Sequence, residues 1–183
     1  AGQARLAAIV ENSSDAIIGE ALDGSIMSWN RAAEKLFGFS DTTVLGRRLA
    51  PLIVPGDRQA EDAELLSRTG RDEPVLPFDT VRLRRDGTPI EVAVTADAIK
   101  EAGGRAIGTA MLIRDISYRK EAERRLVEFN TRLEQQVTER TAELNRVIGL
   151  LEDVLRSASE VSIIATDVEG VIQIFNEGAQ RML

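Results

Sequence analysis

Three carboxylates fall within a single stretch of about one helical turn, Glu61, Asp62 and Glu64, and acid–base catalysis is the chemistry such a group would do. Arg58 and Arg68 flank them, and charges of both signs on one short helix describe a solvated face with no catalytic role. Glu101-Ala102-Gly103-Gly104 has the look of a phosphate loop but lacks the Lys-Ser/Thr ending and opens a strand, so it is expected to be a hairpin turn. The chain contains no Cys and no His. Disulfides, thiolate nucleophiles and Cys-ligated metals are thereby removed, together with the commonest general base, metal ligand and haem axial ligand. Any catalytic site would rest on scattered Ser, Thr and carboxylates. The chain is therefore expected to be regulatory and not an enzyme, with no metal and with any catalytic output elsewhere in a longer parent protein.

The 183 residues are 43% apolar, enough for one ordinary core plus an extension. Thirty acids against 23 bases give a net charge of −7, which repels a phosphate backbone, so no nucleic-acid partner is expected. Apolar runs such as Ala106 to Ile113 are far below the roughly 20 residues that span a bilayer. With no charged-then-apolar leader, the expected location is the cytoplasm, without membrane contact in this segment.

Strands must position whatever these residues do. Ala16 to Ala21 and Ser25 to Trp29 flank Asp23-Gly24, a dipeptide suited to a tight hairpin. An amphipathic helix, Arg5 to Asn12 with Leu6, Ile9 and Val10 on one face, precedes them. Asn30 stands where a helix N-cap belongs, ahead of Ala32, Ala33, Leu36 and Phe37. Gly38, Gly46, Pro51, Pro55 and Gly56 break the next residues into turns and helical pieces, and a helix is predicted from Asp57 to Ser67. Strands over Pro77 to Arg85, Thr88 to Ala98 and Arg105 to Ile116 follow, the middle one alternating Ile90, Val92, Val94 and Ala96 with Glu91, Ala93 and Thr95. The fold class is thus α+β, a five-stranded antiparallel sheet with short helices on one face. The opening recurs 146 positions on: Ile17-Ile18 matches Ile163-Ile164, Asp23-Gly24 matches Glu169-Gly170, Trp29 matches Phe175, and Asn30 matches Asn176. One whole module and the start of another are expected, in a segment of a longer protein: 1–117, a linking helix 118–158, and 159–183.

Ser28-Trp29-Asn30-Arg31-Ala32-Ala33-Glu34-Lys35-Leu36-Phe37-Gly38-Phe39-Ser40, Leu45-Gly46-Arg47, Arg84-Arg85-Asp86-Gly87-Thr88 with Ile90-Glu91-Val92, and Gly108 through Arg114-Asp115-Ile116 come in an order and spacing that resembles the PAS domains of signalling proteins. The resemblance covers roughly residues 5–120 and again 150–183. It departs at Ser117, where the family's Asp-Ile-Thr ending has Thr, although Ser can still cap a helix. The resemblance implies a sheet cupped around a pocket, with sensing in the pocket and output through flanking helices. Trp29, Asn30, Leu36 and Leu49 are the expected pocket lining, although Trp29 fits plain core packing better. Flavin members carry a reactive Cys where this chain has Leu49 after Gly46-Arg47-Arg48, which rules out covalent flavin photochemistry. Haem members would place their ligand near Glu61, a poor haem ligand, which argues against haem b. Non-covalent flavin stays open, since the ring needs an apolar slot and a few polar groups; a pocket that is empty, collapsed or filled by another small molecule is the leading reading.

The helix from Tyr118 to about Ala158 would run about 60 Å. Leu133, Val137, Leu144, Val147, Leu151 and Val154 fall on alternating three- and four-residue steps, an a/d seam interrupted at Arg140. Leu126, Phe129 and Leu133 keep their own phase, and joining it to Val137 requires a four-residue insertion, so the register changes near Leu133. Imperfect packing and a two-register switch both account for it. The expected assembly is a parallel coiled-coil homodimer. Signals would pass along the last strand into Arg114, Asp115, Ile116 and Ser117. The resemblance to PAS proteins implies, as the expected function, a sensor and relay segment of a histidine kinase or a cyclic-di-GMP enzyme. A ligand-free structural dimerisation or partner-docking module is the alternative.

Overall fold

The computed structural model describes residues 2–158 and 160–182, which form two compact units, 1–123 and 124–183. Ser159, at the expected domain boundary, and the side chain of Leu6 lie outside the described residues.

In the first unit, α1 (Gly2–Glu11) leads to the hairpin β1 (Ala16–Ala21) and β2 (Ile26–Trp29). Three short helices follow, α2 (Arg31–Phe37), α3 (Asp41–Val44) and α4 (Ala50–Ile53); after a 3-10 turn at Gly56–Arg58 comes α5 (Gln59–Gly70). β3 (Phe78–Leu83), β4 (Pro89–Lys100) and β5 (Ala106–Asp115) complete the sheet. Its order is β2-β1-β5-β4-β3, with every neighbouring pair antiparallel. The sheet and its short helices are the arrangement the sequence predicts. The helix expected from Asp57 starts two residues later and runs on to Gly70, because its first turn tightens after Pro55.

Period-two alternation sorts each strand: Ala16, Ile18 and Glu20 of β1, Ile90, Val92, Val94 and Ala96 of β4, and Thr109, Met111 and Ile113 of β5 are buried. α2 packs on β1, and α5 on β4 and β5. The hydrophobic core between these layers includes Ile18, Phe37, Leu49, Ile53, Val94 and Met111. Gly108 of β5 is needed where β5 lies against β1: a Cβ there would overlap the Glu20 carbonyl oxygen and stand 2.7 Å from Met27 Cε.

Asn30, directly after β2, ties that strand to three further elements, α1, β1 and α2. Its Oδ1 accepts from the N–H of Ala33, capping α2, and from the N–H of Ile17 on β1, each at 2.9 Å. Its Nδ2 donates to the carbonyls of Val10 at 2.9 Å and Asp15 at 3.1 Å. All four hydrogen-bonding positions of the amide are thus used.

In the second unit, β6 (Ile164–Thr166) and β7 (Ile172–Phe175) form a two-stranded antiparallel sheet followed by α7 (Glu177–Met182). Asn176 repeats the pattern of Asn30: Oδ1 accepts from Ile163 and Ala179, and Nδ2 donates to Ala158 and Val161. The long helix α6 spans Ser117–Ser157, one residue earlier at each end than expected.

Replacing Asn30 with Ala removes the cap and leaves buried backbone groups unpaired, and is expected to cost about 3 kcal/mol in urea unfolding of the chain. A loss under about 1 kcal/mol would show that the clamp is not a principal support of the first unit.

Candidate functional site

Two acids lie inside the first unit. Glu20 follows Ile18 in the inward register of β1 and is 0% exposed; Asp62 follows the inward stripe of α5 with Leu65 and Thr69 and is 2% exposed. Between β1 and β2 the pairing slips by one residue at Gly19/Glu20, a bulge that places Glu20 opposite Ile26. On its other side Glu20 pairs with Thr109, whose hydroxyl meets that of Thr69 from α5. Arg82 of β3 is 1% exposed. Its Nη1 donates to Glu61 Oε1 at 2.9 Å, to the Val81 carbonyl at 3.0 Å and to Thr80 Oγ1 at 3.2 Å. Thr80 donates to the same Glu61 carboxylate, and Arg58 lies 3.5 Å from its other oxygen.

Glu61 is therefore well supplied with donors, but the two interior acids are not. Both carboxyl oxygens of Glu20 and Oδ1 of Asp62 are buried without a hydrogen-bond partner among the described residues. Burial, and then the charge of Asp62, push the Glu20 carboxyl up to about 8 against the opposing pull of Arg82. Burial raises Asp62 as well; Arg82 opposes the rise and Glu61 adds to it.

The charged face expected of Glu61, Asp62 and Glu64 is corrected accordingly: only Glu64 is exposed, Glu61 is half-buried, and Asp62 points into the core. Helical spacing carried that signal, since Asp62 lies three residues before Leu65 and seven before Thr69. Glu20 was missed although it alternates with Ile18 in β1. Local alternation marks a position as inward, whatever residue occupies it.

The expected pocket lining divides. Trp29 and Leu49 belong to the hydrophobic core. The Trp29 ring lies 5.5 Å from that of Phe37 at 46°, and its Nε1–H donates to the Phe39 carbonyl at 3.1 Å. Asn30 is the clamp described above. Leu36 is partly buried and lines a surface cleft of about 440 Å³ together with Arg31, Lys35, Arg84 and Asp115.

At the exit of β5, Arg114 grips Asp15 through two bonds of 2.9 and 2.6 Å, and this pairing holds Asp15 below the usual carboxylate range. Asp115 Oδ1 accepts from the Ser117 N–H at 2.9 Å, so the carboxylate of Asp115 serves the first turn of α6 in the role the sequence suggested for Ser117. Ile116 is buried, and its N–H donates to the Glu91 carbonyl. Lys120 and Arg119 pair with Asp79 of β3 at 2.8 and 3.0 Å, contacts the sequence did not reveal, and Lys120 first among them holds the Asp79 carboxyl low.

An acid whose folded pKa is raised keeps its proton where the unfolded chain has released it, so its contribution is complete below 4.5 and is lost as the pH climbs to about 8. The wild-type Tm is therefore expected to fall over that window, and the Glu20→Gln chain to fall less and to be the more stable at pH 8.5. Parallel Tm curves for the two proteins would remove the buried acid from the account.

A family model of the PAS fold matches residues 4–116. The signal transduction histidine-protein kinase AtoS of Escherichia coli is 25% identical over 169 residues, which is 92% of this chain and 25% of AtoS. An uncharacterised protein of Azorhizobium caulinodans is 33% identical over 116 residues, 61% of this chain and 16% of that one. The chain thus spans a quarter or less of these curated relatives. Among solved structures, the PAS domain of a Colwellia psychrerythraea protein has a TM-score of 0.58 at 24% identity, covering 64% of this chain and 99% of its own. The PAS domain of an HTR-like protein from Haloarcula marismortui has a TM-score of 0.53 at 31% identity, covering 63% and 92%. With the strand order, the Asn-capped helix after the first hairpin and the match over residues 4–116 in agreement, the chain belongs to the PAS fold family.

Proposed function

We propose that the chain is a dimeric sensor and relay segment of a cytoplasmic signal-transduction protein, in which a change inside the PAS unit is passed through α6 to an output domain. The observation that carries this reading is the state of α6. Leu126, Phe129, Leu133, Val137, Leu144, Val147, Leu151 and Val154 are all between 41% and 65% exposed, and no described residue of the helix is buried. An apolar stripe of that length in water calls for a partner, and a second copy in parallel register supplies the same stripe. None of the described helices is long and apolar enough to cross a membrane.

The entrance to the helix supports the relay. Asp115 bonds to the first turn of α6 and lies 3.4 Å from Arg84, while Arg114 holds Asp15 ahead of β1. A shift of β5 would strain both, and a rotated or re-registered helix pair is the two-state element that could relieve it. The change of phase near Leu133 would provide the second register. The similarity to AtoS supports a histidine kinase as the output, and a cyclic-di-GMP enzyme would use the same input. Trp29, the aromatic on which a flat cofactor would stack, is packed against Phe37 with its N–H on the Phe39 carbonyl, which supports the second reading, a ligand-free structural dimerisation or partner-docking module.

Leu144→Lys combined with Leu151→Lys is expected to halve the mass seen by light scattering on a sizing column, and an unchanged dimer would refute the seam. In the full-length parent, Asp115→Ala should uncouple stimulus from output while leaving basal output intact; a normal response would refute the relay. Absorbance from 300 to 700 nm, with mass spectrometry of what denaturation releases, separates a flavin sensor from a colourless module.

A further inference from the structure

The sensor reading leaves its ligand without a chemical class, and the interior acids supply one. We propose that Glu20 and Asp62 are the recognition groups of an interior site for a small organic cation, a primary ammonium or amidinium whose N–H donors complete the two carboxylates. This inference rests on the sensor reading.

Three observations carry it. First, three carboxyl oxygens, both of Glu20 and Oδ1 of Asp62, are buried with no donor among the described residues, on side chains 0% and 2% exposed. Folded proteins pair such atoms, and orphaned ones indicate a missing partner. Second, the interior cation is committed elsewhere: Arg82 Nη1 donates to Glu61, Thr80 and the Val81 carbonyl. The groups that face Glu20 are Asp62 from α5, Asp23 from the β1–β2 turn and Arg82 from β3, two acids against one base. A ligand there gains most by being positive. Third, Gly24 leaves the space beside Glu20 Oε1 without a side chain: a Cβ at that position would lie 3.6 Å from Oε1 and 4.0 Å from Leu66 Cδ1, with no other heavy atom beyond the adjoining residues within 4 Å.

Other ligand classes fit worse. An anion would meet two carboxylates. No group of three or more His, Cys, Asp or Glu able to hold a metal occurs among the described residues, and a hard divalent cation takes six or more oxygens. An ammonium or amidinium needs only a few acceptors, and here they lie on β1 and α5. Glu20 is paired in register with Thr109 of β5, the strand that ends at Asp115, so occupancy would act on the strand that leads into α6.

The test uses the intact chain, with ethylammonium and acetamidinium chloride as probes and sodium propionate and propionamide as controls. The expected result is a saturable rise in Tm with at least one cation and with neither control. Because the cation displaces a proton from Glu20, binding should be on the order of 80-fold tighter at pH 8.5 than at pH 6. Glu20→Gln should abolish the shift while its own melting transition shows that it folds. No saturable shift with either cation, an equal shift in Glu20→Gln, or a shift with propionate or propionamide would each overturn the proposal. If neither cation binds while Asp115→Ala still uncouples the parent, the cation assignment falls alone. If Asp115→Ala leaves the response intact, the sensor reading falls whatever binds.

Discussion

The amide of Asn30 holds the start of the PAS unit together. Four short elements meet there: the end of α1, the entry to β1, the end of β2 and the first turn of α2. Each would leave backbone groups unpaired at its end, and one planar side chain with two donors and two acceptors satisfies them together. Asp or Ser could cap α2 but neither could donate to two carbonyls, so the position calls for Asn and not for caps in general. Asn176 makes three of these four bonds at the positions 146 residues on, to Ile163, Ala179 and Val161, and gives its other N–H to the Ala158 carbonyl in place of an equivalent of Val10, so the 146-residue repeat is largely one of hydrogen bonding as well as of residue type.

Around this clamp the interior is not uniformly apolar. One wall is the ordinary core of Ile18, Phe37, Leu49 and Met111; the other carries Glu20, Asp62, Arg82, Thr69, Thr80 and Thr109. The second wall is in two states of completion. Arg82 and Glu61 form a well-paired ion pair with Thr80 bridging them, whereas Glu20 and Asp62 face one another's charge without donors. Replacing such acids with apolar residues would ordinarily stabilise a small domain, so keeping them sacrifices stability for something other than packing. The outer end of the fold is built in the opposite way. Arg114, Arg84, Arg119 and Lys120 are each matched with an acid, so the strand-to-helix junction is held by contacts at the surface that solvent can loosen.

The division between what was legible in the chain and what was not follows the range of the forces involved. Strand alternation, Asp-Gly turns, an Asn cap and a heptad seam are set by neighbours within a few residues, and from them the sequence by itself determined the five strands, the long helix, the repeat and the family. Whether a polar side chain on an inward position finds a partner depends on strands far apart in the sequence, and only the tertiary structure decided that. It paired Arg82 with Glu61, put Asp62 inside the core in place of a solvated face, and joined Lys120 to Asp79 across the sheet edge. Trp29 shows the same limit from the apolar side. Its type suited both a stacking platform and a core residue, and the choice came from Phe37 and the Phe39 carbonyl closing around it, because contact and desolvation are properties of the assembled fold and not of the residue.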